Sequence, residues 1–247
     1  ASTVPSVAAY DPSFSHEVAA IVENGIRRMT GPEPEDRIWY LTLYNENYPM
    51  PALPQDPADA ERIRVGTIKG MYRFDLAGST STIPQGGTRP SSEHVARATL
   101  LFSGSAWQAA IEAQRLLAEE WSVDADTWSV TSYKSLREDA VSVERWNRLH
   151  PEEVERTPFV TQCLAESEGP IVAVTDFMRS VPDQVSRWMP RRFGSLGTDG
   201  FGRSDTREVL RRFFEIDAAH IVVAVLHSLA AEGTVPASAA SEIGRAS

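Results

Sequence analysis

The sequence predicts an α/β fold of the three-layer α/β/α kind, with a mostly parallel sheet held between two layers of helices. Three observations predict it. From Ala98 onward, short apolar runs alternate with amphipathic stretches, the rhythm of strands that are each followed by a covering helix. Runs such as Ile171-Val172-Ala173-Val174-Thr175 are continuous rather than alternating, as in strands buried on both faces. Third, Gly197-Thr198-Asp199-Gly200-Phe201-Gly202-Arg203-Ser204-Asp205-Thr206-Arg207-Glu208 reads as strand end, glycine turn and helix start. Its glycines permit positive φ and close backbone approach, and Asp205 and Glu208 stand at capping-box spacing.

In chain order, Asp11-Pro12 is an N-cap and first-turn pair for a helix with the apolar stripe Val18, Ile21, Val22, Ile26 and Met29, which stops at Gly31-Pro32-Glu33-Pro34. Ile38 to Tyr44 reads as a buried strand of a largely parallel sheet, followed by the polar turn Asn45-Glu46-Asn47-Tyr48. Pro49, Pro51, Pro54 and Pro57 make residues 49–60 an extended connector, and residues 66–75 read as a short strand. Gly, Ser, Thr and Pro dominate Ala77 to Ser92, where we place a linker and the domain boundary. Beyond it come a strand over Ala98–Phe102, a helix opened by Ser105 with Gln108, and a strand over Asp126–Thr131. A helix capped by Ser135 with Glu138, the strand Ile171–Thr175, a helix from Ser180 to Pro190 and a strand over Arg192–Leu196 follow. A last helix starts at Asp217 with apolar residues on most faces, which makes it a core element.

The 247 residues are 42% hydrophobic, enough for a substantial core, and the formal net charge is -10. That balance argues against a nucleic-acid surface, which needs clustered Lys and Arg. The single cysteine, Cys163, excludes an internal disulfide and a cysteine-based zinc site, and its apolar neighbours favour a plain thiol. No run of about 18 apolar residues and no signal-peptide pattern is present, so no membrane partner and a cytoplasmic location are expected. The chain opens on Ala1-Ser2-Thr3-Val4-Pro5 without an initiator Met, which suggests a piece of a longer protein.

Three constellations invite chemistry. Gly197 to Gly202 invites a phosphate loop, but G-x-x-G-x-G after a late strand is not the dinucleotide fingerprint, so a packing turn is the better reading. Phe102-Ser103-Gly104-Ser105 matches a nucleophile elbow only loosely, and a helix cap accounts for Ser105. His16, His94, His150, His220 and His227 have no metal-ligand spacing with carboxylates, and no metal site is expected. Glu46 differs, because it follows a strand where open α/β sheets collect ligands, beside Asn45 and Tyr48. A partly desolvated carboxylate there can exchange protons; the alternative is a turn residue that caps its own loop.

Several separated motifs, in order, resemble a known family. They are Asn45-Glu46-Asn47-Tyr48-Pro49-Met50-Pro51, Val130-Thr131-Ser132, Glu144-Arg145-Trp146-Asn147 through His150-Pro151, and Leu196 to Asp205. Together they resemble the homodimeric, thiamine-diphosphate-dependent decarboxylating component of bacterial pyruvate dehydrogenase complexes, over nearly the whole chain. The resemblance implies that residues 1–76 end a pyrimidine-binding middle domain, that 77–92 link the domains, and that 93–247 form a transketolase-like C-terminal domain. It implies an oxidoreductase whose thiamine diphosphate and Mg2+ are bound by domains outside this chain, with no cofactor-binding residue within it. Glu46 is the catalytic assignment it carries over, with Asn45 and Tyr48 as neighbours, and Gly197 to Asp205 is implied to be structural. Implied partners are a second copy or a subunit carrying the diphosphate-binding domain, and a lipoyl acyltransferase or acyl carrier protein. One departure stands out: the family commonly has His directly after the Asn-Tyr pair, where this chain has Pro49. This leaves open a specialised paralogue that transfers a two-carbon ketol unit from a ketose phosphate. A non-catalytic dimerisation or assembly module is the competing class.

Overall fold

The computed structural model describes residues 3–74 and 96–244, so the expected linker at 77–92 and His94 lie outside the described residues. The first layer consists of strand β1 (Val7–Tyr10), helix α1 (Ser15–Thr30) and strand β2 (Ile38–Leu41), with β1 and β2 paired in parallel. Helix α2 (Pro57–Lys69) leads into the two-residue strand β3 (Tyr72–Arg73). The remainder is β4 (Ala96–Phe102), α3 (Trp107–Trp121), β5 (Val123–Ser129), α4 (Tyr133–Leu149), α5 (Phe159–Cys163), β6 (Ile171–Val174), α6 (Ser180–Asp183), β7 (Phe193–Leu196), α7 (Arg207–Phe213), α8 (Ala218–Ala231) and α9 (Ala237–Gly244). The second sheet has the order β3-β5-β4-β6-β7, and all its pairings are parallel except that of β3 with β5.

The expected three layers follow from the pleat of β4 and β6, because successive side chains of a strand point to opposite faces. Leu100, Phe102, Val172 and Val174 pack with α3 and α8 through Ala110, Ala113, Leu117, Val222 and Leu226. Leu101, Ile171 and Ala173 face the other way, toward Leu136 of α4, Val160 of α5 and Leu164 just after it. Both faces of these strands are therefore dry, which is why their sequences read as unbroken apolar runs.

The first layer departs from expectation. The parallel pairing of β2 holds, but it is not buried: Ile38 is 63% exposed and Tyr40 48%. Trp39 and Leu41 pack with Ile21 of α1, Ala8 and Tyr10, whereas the described residues cover neither the opposite face nor the far edge. The stripe on α1 is uncovered for the same reason: Ile21 is buried, while Ile26 is 54% exposed. Asp11 does not cap α1; the helix starts at Ser15, and Glu17 reaches back to accept from the amides of Ser13 (2.5 Å) and Phe14 (3.0 Å). The same buried carboxylate accepts from Tyr72 Oη (2.7 Å) and Ser129 Oγ (2.6 Å), which ties α1 to the second sheet.

Other boundaries also shift. The proline-rich connector ends at Asp56, which caps α2 by accepting from the amides of Ala58 and Asp59, with Pro57 in the first turn; the strand expected over 66–75 shrinks to Tyr72–Arg73. Pro57 starts a helix rather than breaking one, since a first-turn residue needs no amide. Ser132 rather than Ser135 caps α4, and Thr206 rather than Asp205 caps α7. Ser105 is not a cap, as it lies in the 3-10 turn Gly104–Ala106 ahead of α3. The helix expected from Ser180 to Pro190 is one α turn followed by a 3-10 turn at Ser186–Trp188. Strand β1 carried no sequence signal that we recognised. The passage Arg207–Ala231 is long and apolar enough by composition to cross a membrane. Glu215, at φ 57°, interrupts it, and the 14 residues of α8 span about 21 Å, short of a bilayer core of about 30 Å.

The glycine turn after β7 is as expected, with Gly200 at φ 86° and open space where a side chain would go. Gly169, at φ 68°, has the Arg97 carbonyl where a Cβ would stand. We expect Gly200→Val to lower stability by about 1–2 kcal/mol through backbone strain alone. Gly169→Ala should cost more, because strain and collision act together; denaturant unfolding of the two variants against the parent checks the order.

Candidate functional site

The sequence-predicted site residues lie on one extended segment. From Thr42 to Tyr48 the backbone forms no regular element, yet Tyr44, Glu46 and Tyr48 are half-buried while Leu43, Asn45 and Asn47 are exposed. That period of two lays the segment along the carboxyl ends of the second sheet's strands. Thr42 Oγ1 and Tyr44 Oη (2.5 Å) both donate to Asp11 Oδ1, and Tyr48 Oη donates to the Ser13 carbonyl (2.5 Å) with its ring 5.3 Å from that of Trp107. Backbone hydrogen bonds complete the seam: Asp11 N donates to Thr131 O, and Gly104 N donates to Asp11 O.

A cleft of about 260 Å3 opens beside this segment, its polar wall made of Tyr44, Asn45, Glu46, Ser105, Asp176 and Arg211. Leu210, Phe214 and Ile216 give it an apolar side. Ser105 follows β4, Asp176 follows β6 and Thr198 follows β7, so three neighbouring parallel strands deliver their carboxyl ends to it. This is the place where open α/β sheets bind ligands. The two arginines come from α7. Arg211 grips Glu46 at two points, Nη2 to Oε2 at 2.7 Å and Nη1 to Oε1 at 3.4 Å, with both side chains about four-fifths buried. Arg207 donates to Asn45 Oδ1 (2.5 Å), and its Nε stands 3.8 Å from Glu46. Such forked contacts fix the plane of a carboxylate as well as its charge.

The structure therefore brings Asn45 and Glu46 together at the cleft and places Tyr48 as an anchor of the same segment. Glu46 does not cap its own loop; its partners lie more than 160 residues away. Sequence reasoning missed Asp176, Arg207 and Arg211, and it misread Ser105, whose hydroxyl donates to Asp176 Oδ2 and receives a long contact from Arg211 (3.4 Å). The available signal was positional, because each stands just past a strand or on the helix after the glycine turn. Burial raises Asp176 above the ordinary carboxylate range, opposed by Ser105 and Arg211, and burial raises Asp11 against the hydroxyls of Thr42 and Tyr44. Tyr44 is raised by its own burial and by the adjacent Asp11.

The remaining candidates have local roles. Burial pushes the Cys163 thiol up to about 11, away from nucleophilic use. His220 Nδ1 lies 2.6 Å from its helix-cap residue Asp217, His16 lies against Tyr72, and His227 is exposed. His150 stacks on Trp146, with Arg156 on the same indole at 3.6 Å. Among the described residues, no group of three or more His, Cys, Asp or Glu converges as a metal site. The arginines of the cleft are already spent on Glu46 and Asn45. These residues do not fit a magnesium diphosphate.

Two family models match the chain, one after the other. The family model described as the transketolase-like TK C-terminal domain matches residues 88–217, just over half of the chain, and that of the pyruvate dehydrogenase E1 component middle domain matches residues 1–51. The pyruvate dehydrogenase E1 component of Mycolicibacterium smegmatis is 44% identical over 243 residues, 98% of this chain and 24% of that protein. The chain thus spans about a quarter of the length of the curated relatives it matches. A transketolase from Leishmania mexicana superposes with a TM-score of 0.56 at 15% identity, covering 95% of this chain and 27% of its own. A split-gene transketolase, described as an inactive beta4 tetramer, gives 0.55 at 16% identity, covering 92% and 59%. At these identities the two structures establish the fold alone.

The buried acid at the seam makes a testable contribution. Because burial raises Asp11, the folded state holds its proton to higher pH than the unfolded chain does, so this group favours folding at low pH and loses that contribution as pH rises through its folded range. Asp11→Asn removes the titration and keeps an acceptor for Thr42 and Tyr44. Melting temperatures from pH 4 to pH 8 should show the variant gaining on the parent as pH rises; parallel curves would exclude a raised Asp11.

Proposed function

The chain belongs to the transketolase-like TK C-terminal domain family, and from that premise we propose that it is the C-terminal portion of a thiamine-diphosphate-dependent pyruvate dehydrogenase-type enzyme. In this reading the enzyme decarboxylates a 2-oxo acid and passes the two-carbon acyl unit to a lipoyl carrier. The observation that carries it is the 44% identity over nearly the whole chain, with two family models matched in order. Thiamine diphosphate and Mg2+ are then held by parts of the enzyme outside this chain and supply the carbanion chemistry when bound. A second copy completes the active assembly in the cytoplasm, and a lipoyl acyltransferase receives the acyl group.

Within that reading, the contribution of this chain to the chemistry is Glu46. Its carboxylate sits at the strand carboxyl ends, about four-fifths buried and with a fixed plane, beside the cleft. A carboxylate held this way can take or give a proton at the rim of a neighbouring active centre. Pro49, exposed three residues on, has a side chain that neither donates nor accepts, and this favours as the second reading a paralogue that uses a ketose phosphate as donor.

In the complete enzyme loaded with Mg2+ and thiamine diphosphate, pyruvate should drive reductive acylation of a lipoyl domain. Glu46→Gln should lower kcat by about 100-fold or more, within the range for loss of a general acid or base, while cofactor affinity measured by calorimetry stays close to the parent's. Turnover with xylulose 5-phosphate but not pyruvate would replace the first reading with the second. Unchanged turnover in the variant would remove Glu46 from the active centre.

A further inference from the structure

Resting on the reading of Glu46 above, we propose that Arg211 is a positioning residue for it, so that helix α7 takes part in the active centre instead of only packing subunits. Three observations carry this. The contact is a two-point fork, Nη1 to Oε1 and Nη2 to Oε2, which sets the orientation of the carboxylate where a single lysine contact would set only its charge. The guanidinium is itself held from behind. Its Nη2 also reaches Ser105 Oγ, Ser105 donates to Asp176, and Thr198 Oγ1 donates to the Asp176 carbonyl (2.6 Å). Residues at the ends of β4, β6 and β7 thus brace one side chain, and that side chain braces Glu46.

Finally, the neighbouring residues of the segment are fixed independently. Arg207 holds Asn45, Asp11 holds Tyr44, and Ser13 with Trp107 holds Tyr48. With the backbone pinned on both sides, the remaining freedom at Glu46 is rotation of its own side chain. Arg211 removes that freedom. The glycine turn Gly197 to Gly202 gains a role in this scheme, since it carries the chain from the end of β7 to α7 and so brings Arg211 over the segment.

The test is a double-mutant cycle on the complete enzyme, using pyruvate and a lipoyl domain, with Arg211→Gln, Glu46→Gln and the two combined, and with a thermal melt of each. Positioning predicts that Arg211→Gln lowers kcat about 10-fold or more with KM for pyruvate little changed, and that the double variant is no slower than Glu46→Gln alone. Arg211→Lys, which keeps the charge but loses the fork, should fall between parent and Arg211→Gln and melt near the parent. It keeps the test decisive if the glutamine variant does not assemble.

A slow Glu46→Gln beside an Arg211→Lys at full kcat would overturn the positioning role and leave the function intact. Multiplying effects in the double variant would overturn it too, because the residues would then act independently. A Glu46→Gln variant at parental turnover would instead overturn the reading of Glu46 on which the proposal rests.

Discussion

The burial of β4 from Ala98 to Phe102 is the constraint from which the other features follow. Leu100, Leu101 and Phe102 are fully inaccessible, so the strand must be covered on both faces, and each large apolar side chain withdrawn from water contributes about 1.5–3 kcal/mol. Helices α3 and α8 cover one face, and α4 and α5 the other. Parallel neighbours then have to point the same way, so β4, β6 and β7 release their chains at one edge. Polar groups leave the core there and meet. Ser105, Asp176 and Thr198 share a cleft because their strands share a direction, and no local preference of those residues would have placed them together.

The first layer is attached by apolar and polar contacts together, with Phe14 seated in the main core against Phe74, Phe102 and Trp107. Its own core is small: Ala8, Tyr10 and Ile21, with Trp39 and Leu41. The polar part of the junction to the second sheet runs through Glu17 and the backbone of Asp11. Glu17 takes four hydrogen bonds, two from its own helix start and two from Tyr72 and Ser129, and the amide and carbonyl of Asp11 bond Thr131 and Gly104 while its carboxylate takes the hydroxyls of Thr42 and Tyr44 within the first layer. Burying a carboxylate costs several kcal/mol unless such partners replace its water. Misplaced partners would leave that cost uncompensated, so Glu17 acts as a register pin between the two sheets. The exposed face of α1 and β2 is the opposite case, an apolar surface that nothing among the described residues claims.

Much of this was legible, and the parts that were not share a cause. Continuous apolar runs and strand-helix rhythm gave the second sheet with its helices, because burial on both faces leaves a mark on every residue of a strand. Gly200 was legible as a turn because positive φ restricts the residue type. The caps were placed only nearly right: Thr206 stands beside the named Asp205 and Ser132 three residues before the named Ser135, because more than one hydroxyl or carboxylate near a helix start is a candidate for the same amides. Pro57 was misread because proline both ends and begins helices, and the difference lies in Asp56 before it. Glu46 could be singled out from its place after a strand. Its partners could not, since Arg207 and Arg211 are more than 160 residues away, and an arginine that reaches a distant carboxylate has the same local sequence as one that reaches water.

The charge distribution carries this one step further. The chain has a formal net charge of -10, yet the charged residues lining the cleft are two acids, Glu46 and Asp176, and two bases, Arg207 and Arg211, which sum to zero. The excess negative charge is therefore elsewhere. Within the cleft, Arg211 is the near partner of Glu46 and also the cation that opposes the burial of Asp176, so one guanidinium serves two carboxylates. A change at either acid alters what Arg211 has to balance at the other. Sharing of this kind makes the three groups respond together, as contacts between independent pairs would not. It also explains why an arginine suits the position: its planar fork meets both oxygens of Glu46 while one of the same nitrogens reaches Ser105, the donor to Asp176, whereas an ammonium would keep the charge without the fork.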